Sequence, residues 1–375
     1  MSKRFVAVAA VLSTCVLLGA AAAAQRITNG RVSPQAGGSG LPQTFRSLVA
    51  AQTDVAWIGY TVPAADRDRT MCCYSSADGT TWMSGTFSRS DVPCCGACRI
   101  EPAADTSTVR QSTPSAAPTP GPVKLEGAER MVLLFRVADR QVERIRTFSE
   151  DCELDAGGRQ VHWLQDVRPA ESVTLLESLI APDAERKNRV SNSALSAIAM
   201  HAEPGAAAAL ERLARAHGSS SIRGEALFWI GNRSDPNAER LILDVMERDQ
   251  SPDVRKRAIF ALSQIKNDGG VASLIRAART HQDTAVRSEA IFWLGQKAGR
   301  KAAGTITEAI EKDPDTEVKK RAVFALSQLP KAEGVPLLID VARKNQNPVV
   351  RKQAIFWLGQ SRDPRAVEFF AEILK

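Results

Sequence analysis

The chain has 375 residues, 44% hydrophobic, 24% charged and only 5% aromatic, with a formal net charge of +7. That composition excludes a wholly disordered, collagen-like or multi-spanning chain. Six of the seven cysteines fall within residues 72–152, so two differently built parts are joined in one chain.

Residues 1–24 read as a bacterial-style secretory signal peptide. Lys3 and Arg4 precede an apolar run from Phe5 to Leu18, and an alanine tract ends at Ala24. About 20 such residues could also stay uncleaved as a membrane anchor. The expectation is an exported chain, periplasmic or secreted, with membrane contact only if the signal is retained. Residues 25–40 are rich in Gly and Ser and predict a flexible linker.

Residues 41–168 predict a small β-rich or α+β module. Strand signals run over Val55–Val62, Met131–Val137, Gln141–Phe148 and Val161–Leu164, with Ala138, Asp139 and Arg140 as a hairpin turn. Residues 102–122, dense in Pro, Ser, Thr and Ala, predict an exposed disordered loop. A helix within 169–189 is expected to bridge the module to the C-terminal half of the chain.

The module holds Cys72, Cys73, Cys94, Cys95, Cys98 and Cys152, an even set in an exported chain, for which disulfides are the default. Cys72 and Cys73 are expected to pair with Cys94 and Cys95, and Cys98 with Cys152. A metal site is the alternative: Cys95 and Cys98 have the two-residue gap of zinc ligands, and Cys72, Cys73 or His162 could complete the set. No cofactor is expected. No nucleophile elbow, P-loop, dinucleotide fingerprint or zincin motif occurs in the sequence.

Residues 190–375 repeat with a period of 32. A β-branched residue followed by a cation recurs at Ile222-Arg223, Val254-Arg255, Val286-Arg287, Val318-Lys319 and Val350-Arg351, and Val190 marks a diverged sixth repeat. Three residues before each marker stand Ser219, Ser251, Asp283, Asp315 and Asn347, all good N-caps. Apolar residues at the marker, +4, +7/+8 and +11 give the second helix of each repeat one buried face. Gly231, Gly295 and Gly359 are expected to stop alternate second helices. A first helix precedes each cap, as in Val271, Leu274, Ile275 and Ala278. Two short helices with wide apolar faces bury them only by stacking on their neighbours, which predicts an all-α solenoid of six repeats.

At marker +7 the residues alternate as Ala197, Trp229, Ala261, Trp293, Ala325 and Trp357. Interlocked core packing, Trp against Ala, is the expectation, and the Phe column at +6 is read as core too. The cation column predicts a ladder to carboxylates or loop carbonyls of the adjacent repeat, with Asp235, Asp283, Asp315 and Asp363 as candidates. Lys256, Lys320 and Lys352 are read as a partner-facing surface.

The run Val254-Arg255-Lys256-Arg257-Ala258-Ile259-Phe260-Ala261-Leu262 resembles the HEAT-repeat family, in its short form similar to phycobilin-lyase subunits. That resemblance implies a superhelical scaffold whose second helices line a concave protein-binding surface. Deoxyhypusine hydroxylase looks similar in its repeats but uses His-Glu pairs to hold two irons. None of His162, His201, His217 and His281 is followed by Glu.

Residues 190–375 carry 28 Lys and Arg against 22 Asp and Glu. Outside the cytoplasm so mild an excess suits an acidic protein partner and not nucleic acid. The leading reading is an exported, non-catalytic scaffold for protein–protein interaction. The other is a metal- or redox-dependent enzyme, or enzyme accessory, centred on the cysteine module.

Overall fold

In the computed structural model the structure describes residues 27–37, 40–65, 98–101, 129–150, 154–183, 188–266, 268–297 and 299–374. Two units are distinguished: 1–180 with 189–206, and 181–188 with 207–375. The signal reading of 1–24 and the loop 102–122 lie outside the described residues.

The first unit is built on a five-stranded sheet of β2 (Arg31–Ala36), β8 (Gln160–Gln165), β3 (Ala56–Pro63), β5 (Arg130–Ala138) and β6 (Gln141–Ser149), in that spatial order. β3, β5 and β6 are antiparallel neighbours, whereas β8 runs parallel to both β2 and β3. Asp139 and Arg140 both adopt positive φ, which gives the two-residue β5–β6 turn the twist that hairpins need. A second, three-stranded sheet joins β1 (Ile27–Thr28), β7 (Leu154–Asp155) and β4 (Cys98–Arg99).

The strands alternate only loosely in sequence because both faces of the large sheet are buried. One face gathers Trp57, Val132, Leu134, Phe148, Val161 and Trp163 with Ile27, Ile100 and Leu154 of the small sheet. Gly59 lies on that face, where a Cβ would stand 2.5 Å from Leu134 and 3.0 Å from Trp163. The other face carries Tyr60 and Phe135, which stack at 5.6 Å, and Phe45 of helix α1 (Leu41–Ala51) meets Phe135 edge-on at 4.8 Å.

Two expectations are corrected. Residues 25–40 are not a flexible linker: they carry β1 and β2, and β2 pairs with β8 along all six of its residues. The module opens with a helix, α1, as an α+β fold allows, and its N-terminus takes the Glu171 carboxylate at the N–H groups of Gly40 and Leu41. Those N–H groups hold the Glu171 carboxyl below its ordinary range.

The second correction is the domain boundary. Helix α2 (Pro169–Ser178) and α3 (Arg189–Met200), the latter carrying the first repeat marker Val190, group with the sheets in the first unit. Ala65 N–H donates to the Met200 carbonyl and Ala202 N–H to that of Pro63, which ties α3 to the end of β3.

The second unit is helical: α4 (Pro204–Ala216, reaching in from the first unit), α5 (Ser220–Asn232), α6 (Ala238–Arg248), α7 (Pro252–Gln264), α8 (Asp268–Thr280), α9 (Thr284–Lys297), α10 (Arg300–Lys312), α11 (Thr316–Ser327), α12 (Lys331–Lys344), α13 (Pro348–Gln360) and α14 (Pro364–Ile373). The marker helices are α5, α7, α9, α11 and α13. Their caps stand where expected, and Asp315 and Asn347 accept backbone N–H groups with their side chains. Ser219 and Ser251 occupy cap positions without a side-chain hydrogen bond to the helix.

Gly231, Gly295 and Gly359 do not stop their helices, and none has positive φ. Gly231 and Gly295 are buried contact points. A Cβ on Gly231 would press on the Ala261 carbonyl, and one on Gly295 would stand 2.9 Å from Ala325 Cβ. The alternation of large and small residues therefore has a different origin from Trp-on-Ala interlocking. Ala261 and Ala325 are fully buried because the glycine of the preceding repeat lies on them; the tryptophans are half-buried.

Candidate functional site

At about 100° per residue, positions +2, +6, +10, +3 and +7 from each marker follow one another around the helix and form a single face. On the second helices this face carries lysine at +2 in three of the five repeats (Lys256, Lys320 and Lys352), phenylalanine at +6, Asn232 and then glutamine at +10, Glu and Arg in alternation and then Gln353 at +3, and Trp or Ala at +7.

The aromatic side chains make one ladder. Trp229, Phe228, Phe260, Trp293, Phe292, Phe324, Trp357 and Phe356 follow in contact order, with centroid separations of 5.1, 5.5, 4.6, 5.0, 6.0, 5.0 and 5.0 Å. Phe228 and Phe260 lie nearly parallel, at 8°, as do Phe292 and Phe324, at 4°. The rings are half-buried, and Phe356 is 53% exposed. This corrects the expectation that the phenylalanines and tryptophans are core; the alanines of the +7 column are buried as expected. Core positions here are Ile259, Ala261 and Leu262, which have no exposed surface.

Cations border the rings. The Arg257 guanidinium stands 5.6 Å over the Phe260 ring and donates to Glu225 at 3.0 Å; that of Arg321 stands 5.3 Å over Phe292. Trp293 Nε1 donates to Glu289 at 2.9 Å, whereas the Nε1 atoms of Trp229 and Trp357 have no hydrogen-bond partner. Gln296 and Gln328 are exposed beside them, and Gln296 Nε2 donates to Gln328 Oε1 at 3.4 Å.

Lys256 and Lys352 are exposed at this face, each four residues before a phenylalanine of the ladder. Lys320 is partly tied down, since its Nζ donates to Glu317 at 2.9 Å and 3.0 Å.

The +1 cations face elsewhere and form the structural ladder. Arg223 binds Asp249 through Nε at 2.7 Å and its second terminal nitrogen at 3.0 Å; Arg287 binds Asp313 likewise at 2.8 and 3.1 Å. Arg255 binds Asp283 at 2.8 and 3.0 Å. Each of these arginines also donates to two carbonyls of the loop leading into its own helix, as Arg287 does to His281 and Gln282. Of the four acids expected, Asp283 serves; Asp235, Asp315 and Asp363 do not, and Asp249 and Asp313 take the role.

The signal for these acids lies five residues before each marker: His217, Asp249, His281, Asp313 and Asn345. Each accepts the backbone N–H two residues on with its side chain, at 2.8–3.1 Å. Burial works against the charge on Asp249 and Asp283. The facing arginine and a backbone N–H outweigh it and hold both carboxyls below the ordinary range.

The first unit contains one arrangement reminiscent of nucleophilic chemistry. Ser172 Oγ lies 2.9 Å from His201 Nε2 and 2.9 Å from the Tyr60 hydroxyl. All three residues are 0% exposed, so no substrate atom reaches them. They are a polar tie between β3, α2 and the end of α3, and burial raises the Tyr60 pKa. Glu101 is a second tie, accepting from Trp57 Nε1 at 2.9 Å and Arg136 Nε at 2.8 Å.

His162, the non-cysteine candidate ligand, has Gln35 at 3.1 Å from Nδ1 and Gln52 at 3.1 Å from Nε2. Burial lowers its pKa. Cys72, Cys73, Cys94, Cys95 and Cys152 lie outside the described residues; Cys98 is the first residue of β4. Among the described residues there is no group of three or more His, Cys, Asp or Glu able to hold a metal, and no helix long and apolar enough to cross a membrane.

A family model of HEAT repeats matches residues 213–295, 271–355 and 304–375. No curated protein matches the chain. Among solved structures, human deoxyhypusine hydroxylase is similar at 19% identity, over 54% of this chain and 90% of that one, with a TM-score of 0.29. The complex of CpcE and CpcF of phycocyanin lyase from Nostoc sp. PCC7120 is similar at 18% identity, over 37% and 90%, with a TM-score of 0.30. Yeast importin-beta (Kap95p) is similar at 18% identity, over 54% and 32%, with a TM-score of 0.31.

Proposed function

Residues 213–375 are HEAT repeats, and from that premise we propose that the chain is an exported scaffold that holds a protein partner along the ladder of Phe and Trp on its second helices. One observation carries the reading. Eight rings form a continuous half-buried row, where repeat packing alone is already met by fully buried Ile, Leu and Ala. Half-buried aromatics and arginines are the side chains that dominate protein interfaces, because they offer large rigid area with a polar edge.

The chemistry of the face selects the partner. Exposed Lys256 and Lys352 border the rings, and Arg257 and Arg321 lie over them. An acidic segment carrying apolar side chains fits both features. Export rests on the basic start, apolar run and alanines of residues 1–24. The role is non-catalytic, with the face binding and positioning its partner.

The test is a pull-down from envelope extract with purified full-length protein, run beside a Phe260→Ser/Phe324→Ser variant. The expected result is one stoichiometric partner, held by the parent chain and lost by a variant that keeps its helical circular dichroism. Recovery of the same partner by both proteins would refute the assignment of the face.

A further inference from the structure

The aromatic face repeats its charged residues every 64 positions, and its two copies are wired differently. Glu225, Trp229 and Arg257 recur as Glu289, Trp293 and Arg321. In the first copy the glutamate takes the arginine of the following repeat: Arg257 donates to Glu225 at 3.0 Å, and Trp229 Nε1 has no hydrogen-bond partner. In the second copy the glutamate takes the indole of its own helix, Trp293 Nε1 donating to Glu289 at 2.9 Å. The Arg321 guanidinium is left exposed, 5.3 Å over the Phe292 ring, with no carboxylate partner among the described residues.

A guanidinium over a ring keeps its N–H donors, which lie in its own plane, for another acceptor. The ring attracts the cation without neutralising it and narrows the orientations it samples. Neighbouring charges do not alter this balance, since Lys320 is held by Glu317 and Lys352, one repeat on, is an exposed cation. Apolar area surrounds the open donors: Phe292 stacks on Phe324 at 6.0 Å and meets Trp293 at 5.0 Å, all three rings half-buried.

Resting on the reading of this face as a partner-binding surface, we propose that Arg321 is its carboxylate anchor. The guanidinium takes one aspartate or glutamate side chain of the partner in a two-point hydrogen bond, and apolar side chains flanking that residue lie on Phe292 and Phe324. Arg257 does not duplicate the role, because Glu225 already holds it. A single uncompensated arginine among rings suits one carboxylate; the higher charge of a phosphate calls for a cluster of cations.

A random-peptide library displayed on phage and panned on the purified full-length chain tests this. Sequences with one Asp or Glu between apolar residues should be enriched. That enrichment should vanish on Arg321→Gln and persist on Arg248→Gln, on first helix α6. Arg321 is exposed, so its substitution leaves the fold intact, which unchanged helical circular dichroism checks. The most enriched peptide is then synthesised with its acid and with the matching amide, and both are titrated by fluorescence anisotropy. The acid should bind the parent chain about ten-fold or more tighter than the amide, and Arg321→Gln should bring that ratio to about one. Arg257→Gln should leave the preference for the acid standing. No enriched sequence, enrichment without acids, or an acid preference that survives Arg321→Gln overturns the proposal. Peptides without acids that are still lost on Phe260→Ser/Phe324→Ser would remove the anchor alone and leave the partner-binding face standing.

Discussion

Gly295 of α9 and Ala325 of α11 lie so close that a Cβ on the glycine would stand 2.9 Å from that of the alanine. The contact recurs one 64-residue period earlier between Gly231 and Ala261. Repeats thus associate in tight pairs, glycine of one against alanine of the next, and the pairs succeed one another along the array.

Glycine inside a helix ordinarily costs about 0.5–1 kcal/mol relative to alanine. Gly295→Ala should nonetheless lower the thermal midpoint, because overpacking costs about 1–3 kcal/mol and backbone must shift to admit the methyl group. Gly359→Ala, made where nothing lies within 4 Å, should leave the midpoint unchanged or raise it. Thermal melts of the two variants side by side check the contrast; equal destabilisation would refute the pairing.

The arginine–aspartate rungs are the second device that joins repeats. Arg287 and Asp313 are 9% and 8% exposed, so removing one partner strands a buried charge. Asp313→Ala should cost about 3–5 kcal/mol. Asp235→Ala, which loses the hydrogen bond from the Asn237 N–H but no buried charge pair, should cost only about 1 kcal/mol. Urea midpoints of the two variants separate the residues.

Acid should loosen the same rungs. The carboxyls of Asp249 and Asp283 titrate below their ordinary value in the fold. The stability they contribute is therefore present above the unfolded value of about 3.9 and is lost as pH falls through the folded values. The thermal midpoint should hold from neutrality down to about pH 4 and then drop. Asp249→Asn should lower the neutral midpoint and make the acid limb shallower. An acid limb of unchanged steepness would count against the rungs.

The ladder rings should tolerate truncation better than the core beside them. Ile259→Ala, at a fully buried site, should cost about 2–5 kcal/mol, and Trp293→Ala, half-buried, about 1–2 kcal/mol. A larger loss for Trp293→Ala would return the tryptophan column to the core.

Much of this was legible in the sequence. The 32-residue spacing of Val254-Arg255 and its counterparts fixes five marker helices to within a residue or two, and the helical fold follows from their apolar faces. The alternation of Trp229, Ala261 and Trp293 was visible too, but its cause was not. Periodicity says which residues share a face; it does not say that Gly231, two positions on, is what presses against Ala261. Likewise Asp249 and Asp313 looked like ordinary loop acids, because three of the five residues in their column are His217, His281 and Asn345. The strand at Arg31–Ala36 was hidden by Pro34 and by glycines on either side, and a parallel partner 129 residues away at Gln160–Gln165 leaves no local signal. Lys256 and Lys352 were read as partner-facing from charge alone; that they border the aromatic row needed the helix geometry.

Site-specific photo-crosslinking in living cells tests the partner-binding face most directly. A photoreactive aromatic amino acid would replace Phe260 or Phe324 on the ladder, with Arg248, 78% exposed on first helix α6, as the control position. The account predicts one adduct of the same mass from both ladder positions and none from position 248. Adducts at 248 with none at 260 or 324, or no adduct at any ladder position, would contradict it.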